Sequence, residues 1–107
     1  MTPSSPSTET QPLFRLGQIR ITPGIQNTID FPRVAQLLSA HTKGESWPLD
    51  RERRAANRDS ALSGSGDVWS TFPIDPSTPS KGFGPNTIWV ITYLDIEVTV
   101  IMLPHEH

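Results

Sequence analysis

The chain has 107 residues, 35% of them hydrophobic and 19% charged, and carries a formal net charge of −2. This length fits one domain with a shallow core, and the charge balance excludes a global attraction to phosphate backbones, so any nucleic-acid contact needs a local patch. The absence of cysteine excludes a disulfide framework and thiolate metal sites and agrees with a cytoplasmic setting. Neither a signal peptide nor a membrane span is expected, because no charged start leads into an apolar segment and no apolar run approaches ~18 residues.

Residues 1–12, MTPSSPSTETQP, hold no large apolar side chain after Met1. They predict a disordered tail, with a linear recognition peptide as the functional alternative. Residues 13–107 are expected to form the domain. Leu13 to Ile21 reads as a strand stopped by the turn Thr22-Pro23-Gly24, and Gly17 inside it marks a bulge or the close approach of another backbone. Asn27 or Thr28 and Asp30 offer capping oxygens ahead of Phe31-Pro32, and a helix is predicted from Phe31 to Thr42 with Gly44 as its stop. Its apolar stripe is Phe31, Val34, Ala35, Leu37 and Leu38.

After a turn holding Trp47, Asp50 can cap a second helix through 51–63, ended by Gly64-Ser65-Gly66. Its apolar face is thin, which predicts a peripheral position. Arg51, Arg54 and Arg58 share one side of it by i, i+3, i+7 spacing, and Asp50, Glu52 and Asp59 around them roughly neutralise the run, so a solvated, salt-bridged helix is the structural alternative to a binding face. Asp67 to Ile74 alternates as a strand whose Pro73 points to a sheet edge or a frayed end. Residues 75–86 form a long Pro- and Gly-rich segment, expected to be a flexible or functional loop with Phe83 at its tip.

The closing runs NTIWVITYL and EVTVIML are rich in β-branched and aromatic residues and flank a turn at Asp95 and Ile96, predicting a hairpin. Its register sets Tyr93 opposite Val98, Ile91 opposite Val100 and Trp89 opposite Met102. The face of Trp89, Ile91 and Tyr93 is the expected partner of the first helix. The other face carries a Thr92/Thr99 pair suited to a cross-strand hydrogen bond. Both faces are too apolar to meet water alone, so the two strands should be central in the sheet or masked by a second copy. The fold class is α+β: a small single domain with about four strands, mainly antiparallel, and one or two helices.

Residues 16–24 (LGQIRITPG), His41 with Gly44 and Glu45, Leu49 with Asp50, Asn57, and the closing IWVITYLD and TVIMLPHE resemble a family of small bacterial proteins borne by plasmids and integrative elements and described as uncharacterised plasmid-related proteins. The likeness spans about residues 13–106. The family's turn after the histidine usually reads Gly-Asp-Trp-Gly, whereas here it is Gly44-Glu45-Ser46-Trp47, with the tryptophan displaced by one position. The resemblance implies a mobile-element setting, in which small proteins act on host or rival machinery, and it brings no catalytic residue.

Two chemistries compete for the polar residues. His41, Glu45 and Arg54 would together supply a base, an acid and a phosphate-neutralising cation for metal-independent RNA cleavage, and helices followed by an antiparallel sheet are found in barnase- and RelE-like ribonucleases. The structural alternative sets His41 at its helix terminus as a dipole partner or cap. His105 and His107 offer at most two metal ligands, so no metal or other cofactor is expected. Arg51, Arg54 and Arg58 with Trp47 and Phe83 have the composition of a protein interface. The leading expectation is a non-enzymatic accessory factor that binds a protein partner, an inhibitor of a host defence or regulatory complex being one form of it. A toxin-like ribonuclease and a nucleic-acid-binding module are the alternatives, and homodimerisation stays open.

Overall fold

The computed structural model describes residues 12–45 and 51–107. The expectations for the tail, for Trp47 and for the Asp50 cap lie outside these residues. Four strands and three helices follow in the order β1 (Gln18–Ile21), α1 (Pro23–Gln26), α2 (Phe31–Thr42), α3 (Arg51–Ser63), β2 (Asp67–Phe72), β3 (Ile88–Tyr93) and β4 (Val98–Met102). The strands form one sheet ordered β1-β4-β3-β2. The sheet is mixed: β2, β3 and β4 are an antiparallel meander, and β1 joins β4 in parallel.

The hairpin register is the expected one, with Tyr93 opposite Val98, Ile91 opposite Val100 and Trp89 opposite Met102. Both hairpin strands are central. The helix, however, lies on the other face. Ile88, Val90 and Ile101 are buried in one cluster with Val34, Leu37 and Leu38 of α2, joined by Phe72 and by Ile25 of α1. Trp89, Ile91 and Tyr93 point away from it, because residues alternate across a strand. The reason lies in α2 itself. Its buried stripe ends in His41, whose ring needs polar partners, and the hydroxyls of Ser70, Thr92 and Thr99 all stand among the β-branched residues of the face that α2 covers. Phe31 and Ala35, read as part of the buried stripe, are exposed.

The termini of α2 are built as its sequence directs. The Asp30 carboxylate accepts from the Arg33 amide at 3.1 Å, and Gly44 at φ 74° carries the chain out of the helix. There the Gly44 amide reaches the His41 carbonyl at 3.2 Å and the Glu45 amide that of Ala40 at 3.1 Å, the two bonds of a Schellman motif. β1 is shorter than expected, since Gly17 at φ 66° interrupts it. A Cβ there would lie 2.0 Å from the Glu97 carbonyl oxygen. Only glycine admits this approach, and through it the Gln18 amide reaches the same carbonyl at 2.8 Å to begin the parallel pairing.

Thr22-Pro23-Gly24, expected as a turn, opens the single-turn helix α1, and the C-terminal end returns to close it. Glu106 accepts from the Thr22 hydroxyl at 2.6 Å, the Gly24 amide at 3.0 Å and the Leu103 amide at 2.9 Å. These bonds, the Thr22 hydroxyl foremost, hold its carboxyl below its ordinary pKa of 4.5. The stabilisation is therefore present above pH 4.5 and is lost as pH falls through the lower folded value. Glu106→Ala is expected to cost about 1 kcal/mol at pH 7 in urea unfolding, and the deficit should shrink as pH falls through the lowered folded pKa, where the carboxyl of the parent protein takes up its proton.

Candidate functional site

Two constellations of polar residues stand out, one sealed inside and one on the surface. The sealed one is centred on His41. Its Nδ1 lies 2.6 Å from the Ser70 hydroxyl and its Nε2 2.9 Å from that of Thr92. Thr92 continues to Thr99 at 2.7 Å, and Thr99 donates to the Leu16 carbonyl at 2.6 Å. All four side chains are buried, and the ring of Phe14 packs edge-on against the imidazole at 5.0 Å.

The direction of every proton in this chain follows from its last link. Thr99 has one hydroxyl hydrogen, given to Leu16, so Thr92 must donate to Thr99. Thr92 Oγ1 must then accept from His41 Nε2–H. A neutral imidazole has one N–H, so Nδ1 accepts from Ser70. The neutral Nε2–H tautomer satisfies every group, whereas a second ring proton would meet a hydroxyl hydrogen already directed at Nδ1. Burial penalises the charged form and lowers the His41 pKa from 6.5 to about 3.

This arrangement removes His41 from the acid/base chemistry considered above. No substrate reaches a ring that is fully enclosed with both nitrogens engaged, while Glu45 and Arg54 are exposed. The role of His41 is structural, but not the one expected at the helix terminus, and spacing along one helix cannot show it. His41 is neither a cap nor a dipole partner but the bridge from α2 to β2 and β3.

The surface constellation is on α3. Arg51, Arg54 and Arg58 are exposed and line one shallow groove across Ala55. Arg54 and Arg58 also border an adjoining groove with Leu13, Lys43, Gly44 and Leu62, where Leu62 is 81% exposed. The interleaved carboxylates suggested a neutralised helix, yet among the described residues none of the three guanidiniums is engaged in an ion pair or hydrogen bond. A cationic strip bordered by an exposed leucine can receive an anionic group beside an apolar one.

The remaining candidates are dispersed. Phe83 is 67% exposed on a loop tied down at both ends. Asn86 accepts from the Asp75 amide at 2.8 Å and donates to the Thr78 carbonyl at 2.9 Å, and the Trp89 indole donates to the Gly82 carbonyl at 2.8 Å. His107 packs between Trp69 and Trp89, with ring centroids 5.3 and 5.6 Å away. Among the described residues no three of His, Asp and Glu gather into a metal-binding group, and no helix is long and apolar enough to cross a membrane.

Asn57 enters the sequence reading only through the resemblance, with no role assigned. Its buried amide forms a two-bond clasp on the backbone of Trp69, Nδ2 donating to the carbonyl at 2.8 Å and Oδ1 accepting from the amide at 3.0 Å. A lone polar residue on a thin helical face was the available signal. Comparison of the chain with family models, with curated proteins and with solved structures finds no match.

Proposed function

We propose that the chain is a non-enzymatic protein-binding factor that takes an acidic segment of its partner on the Arg51/Arg54/Arg58 face of α3. The observation that carries this reading is the strip of three guanidiniums, unengaged among the described residues, on one groove beside exposed Leu62. Exposed arginine next to an apolar anchor is what protein interfaces favour, and a rigid helix face presents it with little ordering cost. The loop bearing Phe83 is a second contact of the same module. The role as an accessory factor of a plasmid or other mobile element, acting on a host defence or regulatory complex, rests on the family resemblance alone. Gly17, His41, Gly44 and Asn57, which take part in that resemblance, hold the fold together. They speak for shared architecture and not for a shared site.

Affinity capture from a bacterial lysate, with and without nuclease treatment, tests the proposal. A bound protein that survives nuclease, weakens as salt is raised and drops at least tenfold with Arg51→Ala/Arg54→Ala/Arg58→Ala is the expected result. The triple variant should melt within a few degrees of the parent, because exposed charges contribute little to stability. Capture that disappears with nuclease, or that ignores the arginines, would overturn it. The first of these outcomes would mark a nucleic-acid-binding module in which the same guanidiniums contact phosphates.

A further inference from the structure

The sheet has two edges, and the chain treats them in opposite ways. At the β2 edge the Asn57 amide occupies the outward amide and carbonyl of Trp69, which blocks pairing at the middle of the strand. At the β1 edge nothing equivalent is present among the described residues. The amides of Gln18 and Thr22 donate to the carbonyls of Glu97 and Ile101 at 2.8 and 3.2 Å. The two-residue period of a strand then turns the amide and carbonyl of Ile19, and the amide of Ile21, away from β4. The Ile21 carbonyl receives the Gln26 side chain at 3.3 Å. Gln18, Ile19 and Arg20 are exposed, Ile19 at 42%. An open edge next to apolar surface is a template for pairing that folded proteins normally blunt.

Beside this edge runs a shallow groove lined by Ile21, Ile29, Phe31 and Val34, with Gln26 and Asp30 at its rim. The ring of Phe31 is 77% exposed. Ile19 and Ile21 point to this side of the sheet, and Arg20 points to the other. A strand laid along β1 would therefore meet apolar surface with alternate side chains and a guanidinium with those between.

We propose that the β1 edge receives an extended segment of a partner protein as a fifth strand, with apolar residues toward Ile19 and Phe31 and acidic residues toward Arg20. Main-chain bonds to Ile19 and Ile21 supply affinity, and the alternation supplies selectivity. The acidic alternation follows from Arg20. A second copy pairing antiparallel with both Ile19 and Ile21 in the ladder is centred on Arg20 and would oppose Arg20 to its own twin, and like charges opposite one another destabilise a strand pair. The chain's own residues 1–11 contain no large apolar side chain after Met1 and carry Pro3 and Pro6, so they lack the pattern that this edge selects. The surface is separate from the arginine face, since α3 covers the opposite edge of the sheet.

The test is a titration of the 15N-labelled full chain with a Val-Glu alternating heptapeptide, its Val-Lys counterpart, and the Val-Glu peptide N-methylated at every second residue in each of the two possible phases. Expected are amide shifts centred on Ile19, Ile21 and Phe31, slowed exchange of the Ile19 amide, and binding at least tenfold weaker for one methylated phase only. Arg20→Glu should reverse the preference to the Val-Lys peptide, whereas Arg54→Ala should change nothing, which separates this site from the α3 proposal. Equal binding of both methylated phases, or no shift at Ile19 and Ile21, would sink the inference. A concentration-dependent dimer that protects the Ile19 amide would assign the edge to a second copy, and contacts from residues 1–11 to Ile19 would assign it to the chain's own tail. Either result overturns the partner strand.

Discussion

His41→Ala is expected to destabilise the protein by about 3 to 5 kcal/mol, because it removes a buried ring and strands the hydroxyls of Ser70 and Thr92 at once. For a domain of this size that is a large part of the whole stability. The cleaner test is titration. His41 has an ordinary pKa of 6.5 and a folded value near 3, so between these values the unfolded chain binds a proton that the folded chain refuses. Stability from this residue is complete above pH 6.5 and falls as pH drops toward 3. The expected loss is about 2 kcal/mol by pH 5 and about 3 by pH 4. His41→Gln keeps a donor and an acceptor but cannot titrate, so its stability should be lower at pH 7 and flatter from pH 7 to 5. That window lies above the carboxylates, so Glu106 and Asp75, both lowered by hydrogen bonds, contribute little to the difference. Denaturant unfolding of the two proteins across the window decides it. Parallel pH profiles would mean that the imidazole is not held neutral by burial.

The same histidine shows what the sequence could and could not reveal. The limits of α2, the pairing of β3 with β4 and the edge position of β2 are all local in origin. They follow from Asp30 and Gly44 as helix signals, from the turn at Asp95, and from Pro73. The Thr92/Thr99 pair was legible as a cross-strand bond, and it forms at 2.7 Å. The orientation of the hairpin was not legible, since both faces are apolar and hydrophobicity alone favours the aromatic one. The deciding term was the need to satisfy His41, a contact between residues 51 positions apart for Thr92 and 29 apart for Ser70. The aromatic face is closed by other means: Trp69, Trp89 and His107 pack on one another, and the Arg53 guanidinium lies 5.7 Å from the Trp69 ring centroid. The parallel pairing of β1 with β4 joins opposite ends of the chain and leaves no periodic trace. Of the surface residues, the arginine spacing on α3 was legible because helical period suffices for it, whereas their lack of partners depends on side-chain placement.

Asn57→Ala is expected to cost about 2 to 4 kcal/mol, since the amide and carbonyl of Trp69 each lose a partner in a buried place. The larger consequence concerns assembly. With the clasp gone, the outward amide and carbonyl of Trp69 lose their tie to α3, and whenever the helix lifts from β2 the sheet gains a second edge through which it can extend from copy to copy. Concentration-dependent growth in sedimentation, together with faster exchange of the Trp69 amide, is the expected signature, where a mere loss of packing would lower the melting temperature without association. Asn57→Asp separates the two bonds. A carboxylate of the same shape can still accept from the Trp69 amide at 3.0 Å but faces its carbonyl at 2.8 Å with no hydrogen to give. At pH 7 this variant should be less stable than Asn57→Ala, because it buries a charge against a carbonyl oxygen. Protonation restores the donor, so the carboxyl pKa in the folded state is raised. The deficit of Asn57→Asp relative to the parent should therefore shrink as pH falls from 7 toward 4, opposite in sign to the His41 effect. A deficit that does not change with pH would show that the amide at position 57 is not donating to β2.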